Sequence, residues 1–299
     1  MRILQAHQGL VLGLAFSPDG QRLVSTDTQG TICLWDCTYR EPQILSLPSP
    51  VTHVPVYGAA FSPDNRYLAV GIAARHTNDY PKEGIGIWDI STMQVRYVAT
   101  GGISAYQLVY HPDGRSLIAS CFQDGSRLVR RDLVEHRVWP FAQPRNDIWQ
   151  VAISHDGRWL GGAGNHSIIH VWSLPSGEIF SEGDCINGTI SSLAFDPSGN
   201  RLVAVGTAKG WMWTHPHSWS AIIALNQYSE RAAIFTPDGR KLLSAGDNPG
   251  VRQWNPDTWE LEAEYRWSVG RVDRLAVSPD GSRAALGGDQ GKVIVWDLE

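Results

Sequence analysis

The chain has 299 residues, a formal net charge of −5 and basic and acidic residues mixed along its whole length. It therefore offers no broad basic face to a nucleic-acid backbone, and it holds no apolar run of membrane-spanning length. Its 30 Gly and 17 Pro fall mostly at turn positions, without low-complexity tracts or charge blocks that would read as a tail.

In chain order, the first element is a short strand over residues 2–6, RILQA. The N-terminal segment lacks a small-residue cleavage site, so it reads as structure rather than a signal peptide. An apolar run then closes on Phe16-Ser17-Pro18-Asp19-Gly20. Pro presets φ at the second position of a tight turn, Asp tolerates the third, and Gly takes the left-handed conformation. A second strand, Arg22 to Thr26, meets a polar break at Asp27 to Gly30, and a third strand, Thr31 to Trp35, ends in Asp36. Three antiparallel strands are thus encoded in about twenty residues.

Degenerate copies follow. The turns are FSPDN (61–65), YHPDG (110–114), ISHDG (153–157), FDPSG (195–199), FTPDG (235–239) and VSPDG (277–281). The paired dipeptides are Trp88-Asp89, Arg131-Asp132, Trp172-Ser173, Trp213-Thr214, Trp254-Asn255 and Trp296-Asp297. Successive tryptophan positions, starting from Trp35, are separated by 53, 43, 41, 41, 41 and 42 residues, one period repeated across the chain.

Seven phased units of turn plus tryptophan resemble the WD40-repeat family of β-propellers. The resemblance covers residues 1–299 and implies an all-β fold, a seven-bladed β-propeller of four-stranded antiparallel blades around a central channel. It also implies that the N-terminal strand, residues 2–6, completes blade seven, because the chain stops just after Trp296-Asp297 and leaves that blade three strands of its own. A single domain over 1–299 is the expectation.

His7 stands where the family carries the His of a Ser/Thr-His-Asp-Trp network. The equivalent positions in later repeats are Thr52, Gly101, Pro144, Ile186, Asn226 and Ser268, so the network is expected in the first blade and not in most others. Arg131 replaces the tryptophan of repeat three and marks that blade as the loosest. In repeat two, eight extra residues lengthen the loop Ala73 to Glu83, a contact element if it serves a function. The cations that follow the turns (Arg22, Arg66, Arg115, Arg158, Arg201, Lys241, Arg283) share a side of the blade with the acidic turn residues, so local pairing or plain solubility is expected of them rather than a ring of charge. His166, His170, His215 and His217 lack a third ligand at suitable spacing, so no metal or other cofactor is expected. The four cysteines, Cys33, Cys37, Cys121 and Cys185, include no CxxC pair. Cys33 and Cys37 lie ~13 Å apart along a strand, too far to be bridged. Reduced thiols and a cytoplasmic location are expected.

No GxSxG, HExxH, P-loop or outstanding carboxylate pair appears, and no enzyme activity is expected. The leading reading is a non-catalytic scaffold, a monomeric ring that binds a protein or peptide on its top face. The alternative is an enzyme or small-ligand binder with its site at the mouth of the channel. Four residues before the one that opens each turn stand Leu12, Tyr57, Tyr106, Trp149, Ser191, Arg231 and Asp273, near the start of each innermost strand. In propellers that this chain resembles, such positions line the entry to the channel. The expected partner-binding residues are Tyr57, Tyr106 and Trp149 as exposed rings, Arg231, Asp273 and the nearby Arg271 as an ionic arc, and Tyr80 from the long loop. A peptide with one hydrophobic anchor and a polar end would suit such a mouth.

Overall fold

The computed structural model describes residues 1–39, 42–46, 54–73, 84–98, 104–122, 126–139, 141–142, 147–165, 168–184, 188–207, 210–214, 218–222, 225 and 229–298. These residues form 28 strands, numbered here in chain order, in seven four-stranded antiparallel sheets. Blade one runs outward from the channel as β2 (Val11–Phe16), β3 (Arg22–Asp27), β4 (Ile32–Asp36) and β5 (Gln43–Ser46). The remaining innermost strands are β6 (Val56–Phe61), β10 (Ser104–Tyr110), β14 (Gln150–Ile153), β18 (Ile190–Phe195), β22 (Glu230–Phe235) and β26 (Val272–Val277). Each packs on the next, and β26 packs on β2, which closes the circle.

Closure is made as the repeat phase implies. β1 (Arg2–Gln5) is the outer strand of the sheet β26, β27 (Arg283–Gly288), β28 (Lys292–Asp297), with Arg2 opposite Val295 and Gln5 opposite Lys292. A chain end thereby covers the edge of β28, which would otherwise expose unpaired backbone groups. Two arginines reinforce the seam between blades seven and one. Arg283 donates to the carbonyls of Gly20 and Cys37, each at 2.8 Å, and Arg274 donates through Nε to the carbonyl of Leu12 at 2.6 Å.

The repeated turn explains the hairpins. Gly20 N–H donates to the Ser17 carbonyl at 2.8 Å, the Ser17 hydroxyl donates to Asp19, and Gly20 sits at φ 67°. The same bridge from hydroxyl to carboxylate recurs from Ser62, Ser154, Thr236 and Ser278. Asn65 takes the glycine position in blade two at φ 61°, a conformation asparagine tolerates. The turn carboxylates are thus spent mainly inside their own turns. Of the cations that follow, Arg66 reaches Asp89 at 3.1 Å, Arg115 reaches Asp132 at 4.0 Å, and Arg201 contacts both Asp196 of its own turn and Asp257. Arg158 likewise pairs within its own turn, with Asp156 at 3.6 Å.

The core is distributed between blades rather than gathered at one centre. Val24, Ile32 and Leu34 of blade one pack with Val56, Leu68, Val70 and Trp88 of blade two, and similar layers lie at the other junctions. Register aligns the tryptophans: Leu23 faces Trp35, Leu68 faces Trp88, Leu160 faces Trp172 and Leu242 faces Trp254. Burying each such ring contributes roughly 2–3 kcal/mol. Arg131 faces Leu117 in the same register, which places it in the tryptophan position of blade three. That blade has the shortest described outer strand, β13 (Val138–Trp139), with both residues exposed, and Arg130 lies 5.2 Å above the Trp139 ring.

In blade one the members of the His7 network lie together. Its Nε2 lies 2.6 Å from Ser25 Oγ and its Nδ1 3.3 Å from Asp27, while Trp35 Nε1 donates to Ser25 Oγ at 2.9 Å. Burial works against the Asp27 charge, but the His7 contact and the amides of Thr31 and Gln29 outweigh it and hold this carboxyl below its ordinary value.

Candidate functional site

A β-bulge marks the channel end of the innermost strands. The pairing slips between Val11 and Gly13, between Val56 and Ala59, and between Ala105 and Gln107. It slips again between Ile190 and Ser192, Glu230 and Ala232, and Val272 and Arg274. In blade four Trp149 N–H donates to the Ala163 carbonyl at 2.9 Å while Gln150 is Ala163's register partner, so two residues again oppose one. The residues inside these slips are Leu12, Tyr57 with Gly58, Tyr106, Ser191, Arg231 and Asp273, with Trp149 as their counterpart. An extra residue breaks the in-out alternation of a strand and re-aims its side chain, a device common beside binding sites.

Three rings come together on blades two to four. Tyr57 and Tyr106 have centroids 4.3 Å apart with planes at 31°, and Tyr106 and Trp149 are 6.4 Å apart and nearly parallel at 12°. All three are half-buried, not the exposed rings the sequence suggested, because each leans on its neighbour. Burial and the Tyr106 phenol beside it raise the Tyr57 hydroxyl far above its ordinary acidity range, so it stays neutral. The backbone beneath is pinned across the blade junctions. Thr26 Oγ1 donates to the Tyr57 carbonyl at 2.6 Å and Ser120 Oγ to the Trp149 carbonyl at 3.0 Å. Gly13, after the first bulge, and Gly58, within the second, are glycines because a Cβ there would lie 2.4 Å from the Tyr57 carbonyl and 2.8 Å from the Tyr106 carbonyl.

An ionic arc occupies blades six and seven. Arg231 Nε contacts Asp247 at 2.5 Å, and its Nη1 lies 3.8 Å from Asp273. Arg271, just before β26, contacts the other Asp273 oxygen at 3.0 Å and donates its backbone N–H to Asp289 at 3.2 Å. Burial opposes the Asp247 charge, yet the Arg231 bond outweighs it and holds the carboxyl below its ordinary range. Burial likewise works against Arg271, and the Asp273 bond more than restores its charge. Below the mouth lies a cavity of about 340 Å³ whose wall includes Gly58, Gln107, Gln150, Ser192, Arg231 and Arg274. The opposite end of the channel is apolar, a bowl of about 530 Å³ walled by Pro18, Pro112, Pro197, Pro237 and Pro279 among others.

The structure therefore brings Tyr57, Tyr106 and Trp149 into one arc and Arg231, Arg271 and Asp273 into another. Tyr80 and loop residues 74–83 lie outside the described residues, as do His166, His215, His217 and Cys185. His170 is buried with Nδ1 2.9 Å from Glu182, and no group of three metal-ligating side chains occurs among the described residues. Sequence reasoning missed Arg274, Asp247 and Asp289. Aligned on the turns, Arg274 shares a column with Gly13, Gly58, Gln107, Gln150, Ser192 and Ala232, so its charge was the available signal.

Comparison with known proteins gives a match of the family model "WD domain, G-beta repeat" to residues 1–36. The "WD repeat-containing protein 26 homolog" of Arabidopsis thaliana is 24% identical, covering 100% of this chain and 50% of its own. The "WD repeat-containing protein WDS homolog" of the same plant is 24% identical over 85% of this chain and 48% of its own. The "MST50-interacting protein 11" of Pyricularia oryzae is 31% identical over 62 residues, 21% of this chain and 20% of its own. The chain spans about half the length of the two plant relatives it matches over most of its own length.

Proposed function

The chain belongs to the WD40-repeat family of β-propellers, and from that premise we propose that it is a non-catalytic scaffold binding a peptide or protein segment at the bulged mouth of its channel. The carrying observation is the division of that mouth. Stacked rings of blades two to four supply an apolar shelf, and paired charges of blades six and seven supply an ionic one. A segment with one hydrophobic anchor and a polar flank is complementary to both. The name of the Pyricularia relative, an interacting protein, supports the same class of role. The mouth's charged groups also suit holding rather than proton transfer. Asp247 is pushed further toward its ionised form and Arg271 further toward its protonated form, whereas a general acid or base works with a proton exchangeable near neutral pH. The same reading takes the ring as a monomer. The buried free thiols Cys33, Cys37 and Cys121 support a reducing, cytoplasmic setting. Among the described residues no helix is long and apolar enough to cross a membrane.

The test is the double variant Tyr57→Ala, Trp149→Ala in affinity capture with mass spectrometry. Capture of the partners retained by the native ring is expected to be lost. Because the rings are half-buried and stacked, stability should fall by about 1–3 kcal/mol while the fold is kept. A folded double variant that still captures every native partner overturns the proposal.

A further inference from the structure

The guanidinium of Arg274 sits in the channel wall directly below the mouth, and its bonding differs from that of its neighbours. Arg231 is spent on Asp247 and Asp273, and Arg271 on Asp273. Arg274 instead donates to two backbone carbonyls, Nε to Leu12 at 2.6 Å and Nη1 to Asp273 at 2.8 Å. Arginine carries five N–H donors, so three remain without an acceptor among the described residues. No carboxylate among the described residues lies within ion-pair distance of it, because the Asp273 side chain turns to Arg231 and Arg271. At the equivalent position the other blades carry Gly13, Gly58, Gln107, Gln150, Ser192 and Ala232, all neutral, so nothing in that ring of positions balances the charge.

A half-buried cation held in a fixed orientation by two carbonyls, with donors left over, is a preorganised anion receptor. Burial lowers its proton affinity, the direction expected of a charge left unbalanced, with the Asp273 charge opposing. Arg283 spans the same seam with two carbonyl bonds of its own but is not part of the cavity wall.

We propose that the channel is a receptor for one carboxylate of the bound peptide, with Arg274 as its anchor and the amides of Gln107 and Gln150 on the same cavity wall as neutral donors. This rests on the peptide-binding reading of the mouth and names the polar end of the ligand. The cavity of about 340 Å³ is walled by Arg231, Asp273 and Arg274, a net of one positive charge once Asp273 is set against Arg231, which matches a monoanion, and a planar carboxylate fits the planar guanidinium. The carboxylate can come from an acidic side chain or from a peptide C-terminus.

Two random-peptide libraries, one displayed with free C-termini and one with blocked C-termini, are selected on the intact chain. Enriched peptides are titrated by calorimetry as the acid and as the matching amide, against the native chain, Arg274→Gln and Arg274→Lys. The acid is expected to bind the native chain at least about tenfold more tightly than the amide. That preference should vanish in Arg274→Gln and return in part in Arg274→Lys. Enrichment from the free-end library alone identifies the C-terminal source, and enrichment from both identifies an acidic side chain. Peptides that bind equally as acid and amide, or whose acid preference survives Arg274→Gln, overturn this inference and leave the peptide-binding reading standing. Failure to enrich any peptide overturns both. Should Arg274→Gln not fold, the guanidinium NMR resonances of Arg274, assigned through Arg274→Lys, must shift with the acid and not with the amide; absence of that difference overturns the inference.

Discussion

Arg252 and Glu230 form an ion pair in the interior of blade six, Nη1 to Oε1 at 3.0 Å, with both side chains all but closed to solvent. Glu230 also engages the Ser244 hydroxyl, which accepts Trp254 Nε1 at 2.8 Å. Blade one makes the same link from Trp35 to Ser25 and completes it with His7 and Asp27. Blade six thus replaces a histidine–aspartate pair by a glutamate–arginine pair around an unchanged tryptophan–serine bond. Removing one partner strands a buried charge, so Arg252→Ala is expected to cost about 3–5 kcal/mol. Glu230→Leu with Arg252→Met should recover most of that loss. Urea-unfolding midpoints of the two variants decide it, and equal losses would show that the pair is not the unit.

Closure of the ring gives the next expectation. Leu4 of β1 is buried in the cluster formed with Val11, Leu23 and Val293, worth about 2 kcal/mol by itself. Deleting residues 1–6 also uncovers the edge of β28 and removes His7's neighbour in the chain. Stability should drop by several kcal/mol and the protein should self-associate. An unchanged melting temperature with monomeric elution would show that the seam is held elsewhere.

His170 sets a pH dependence. Burial depresses its pKa below the ordinary 6.5, and Glu182 only partly opposes this. The unfolded chain therefore binds the proton more readily than the folded one. Stability is fully present above pH 6.5 and declines as the pH falls below it toward the folded value. Melting temperatures measured at pH 7.5 and 5.5 should fall with acidification for the native chain and fall less for His170→Gln. An identical drop in both would remove His170 as the cause.

The thiols of Cys33, Cys37 and Cys121 are pushed up by burial, to about 12, 11 and 12. Only thiolates alkylate quickly, so iodoacetamide at pH 8 should leave these three unmodified in the native chain and modify them in denaturant. Peptide mass spectrometry reads each site separately. Rapid native labelling of any of the three would contradict its burial.

The period of the turns and tryptophans was enough to identify seven blades and the closing strand, because hairpin turns and strand alternation are local rules written in adjacent residues. The pairing of Leu23 with Trp35, and of Leu117 with Arg131, follows from turn length alone. The columns at the channel mouth were countable too, which is how Tyr57, Tyr106 and Trp149 were found. Their half-burial was not, since a ring's exposure depends on the neighbour that closure of the circle places against it. The same holds for the carbonyl bonds of Arg274 and the pair Arg252–Glu230. A bulge shifts side-chain parity only through the strand it pairs with, and a buried charge is satisfied only by groups brought from other strands or blades. These arrangements depend on distances across the ring that residue order does not contain, so the tertiary structure alone decided them.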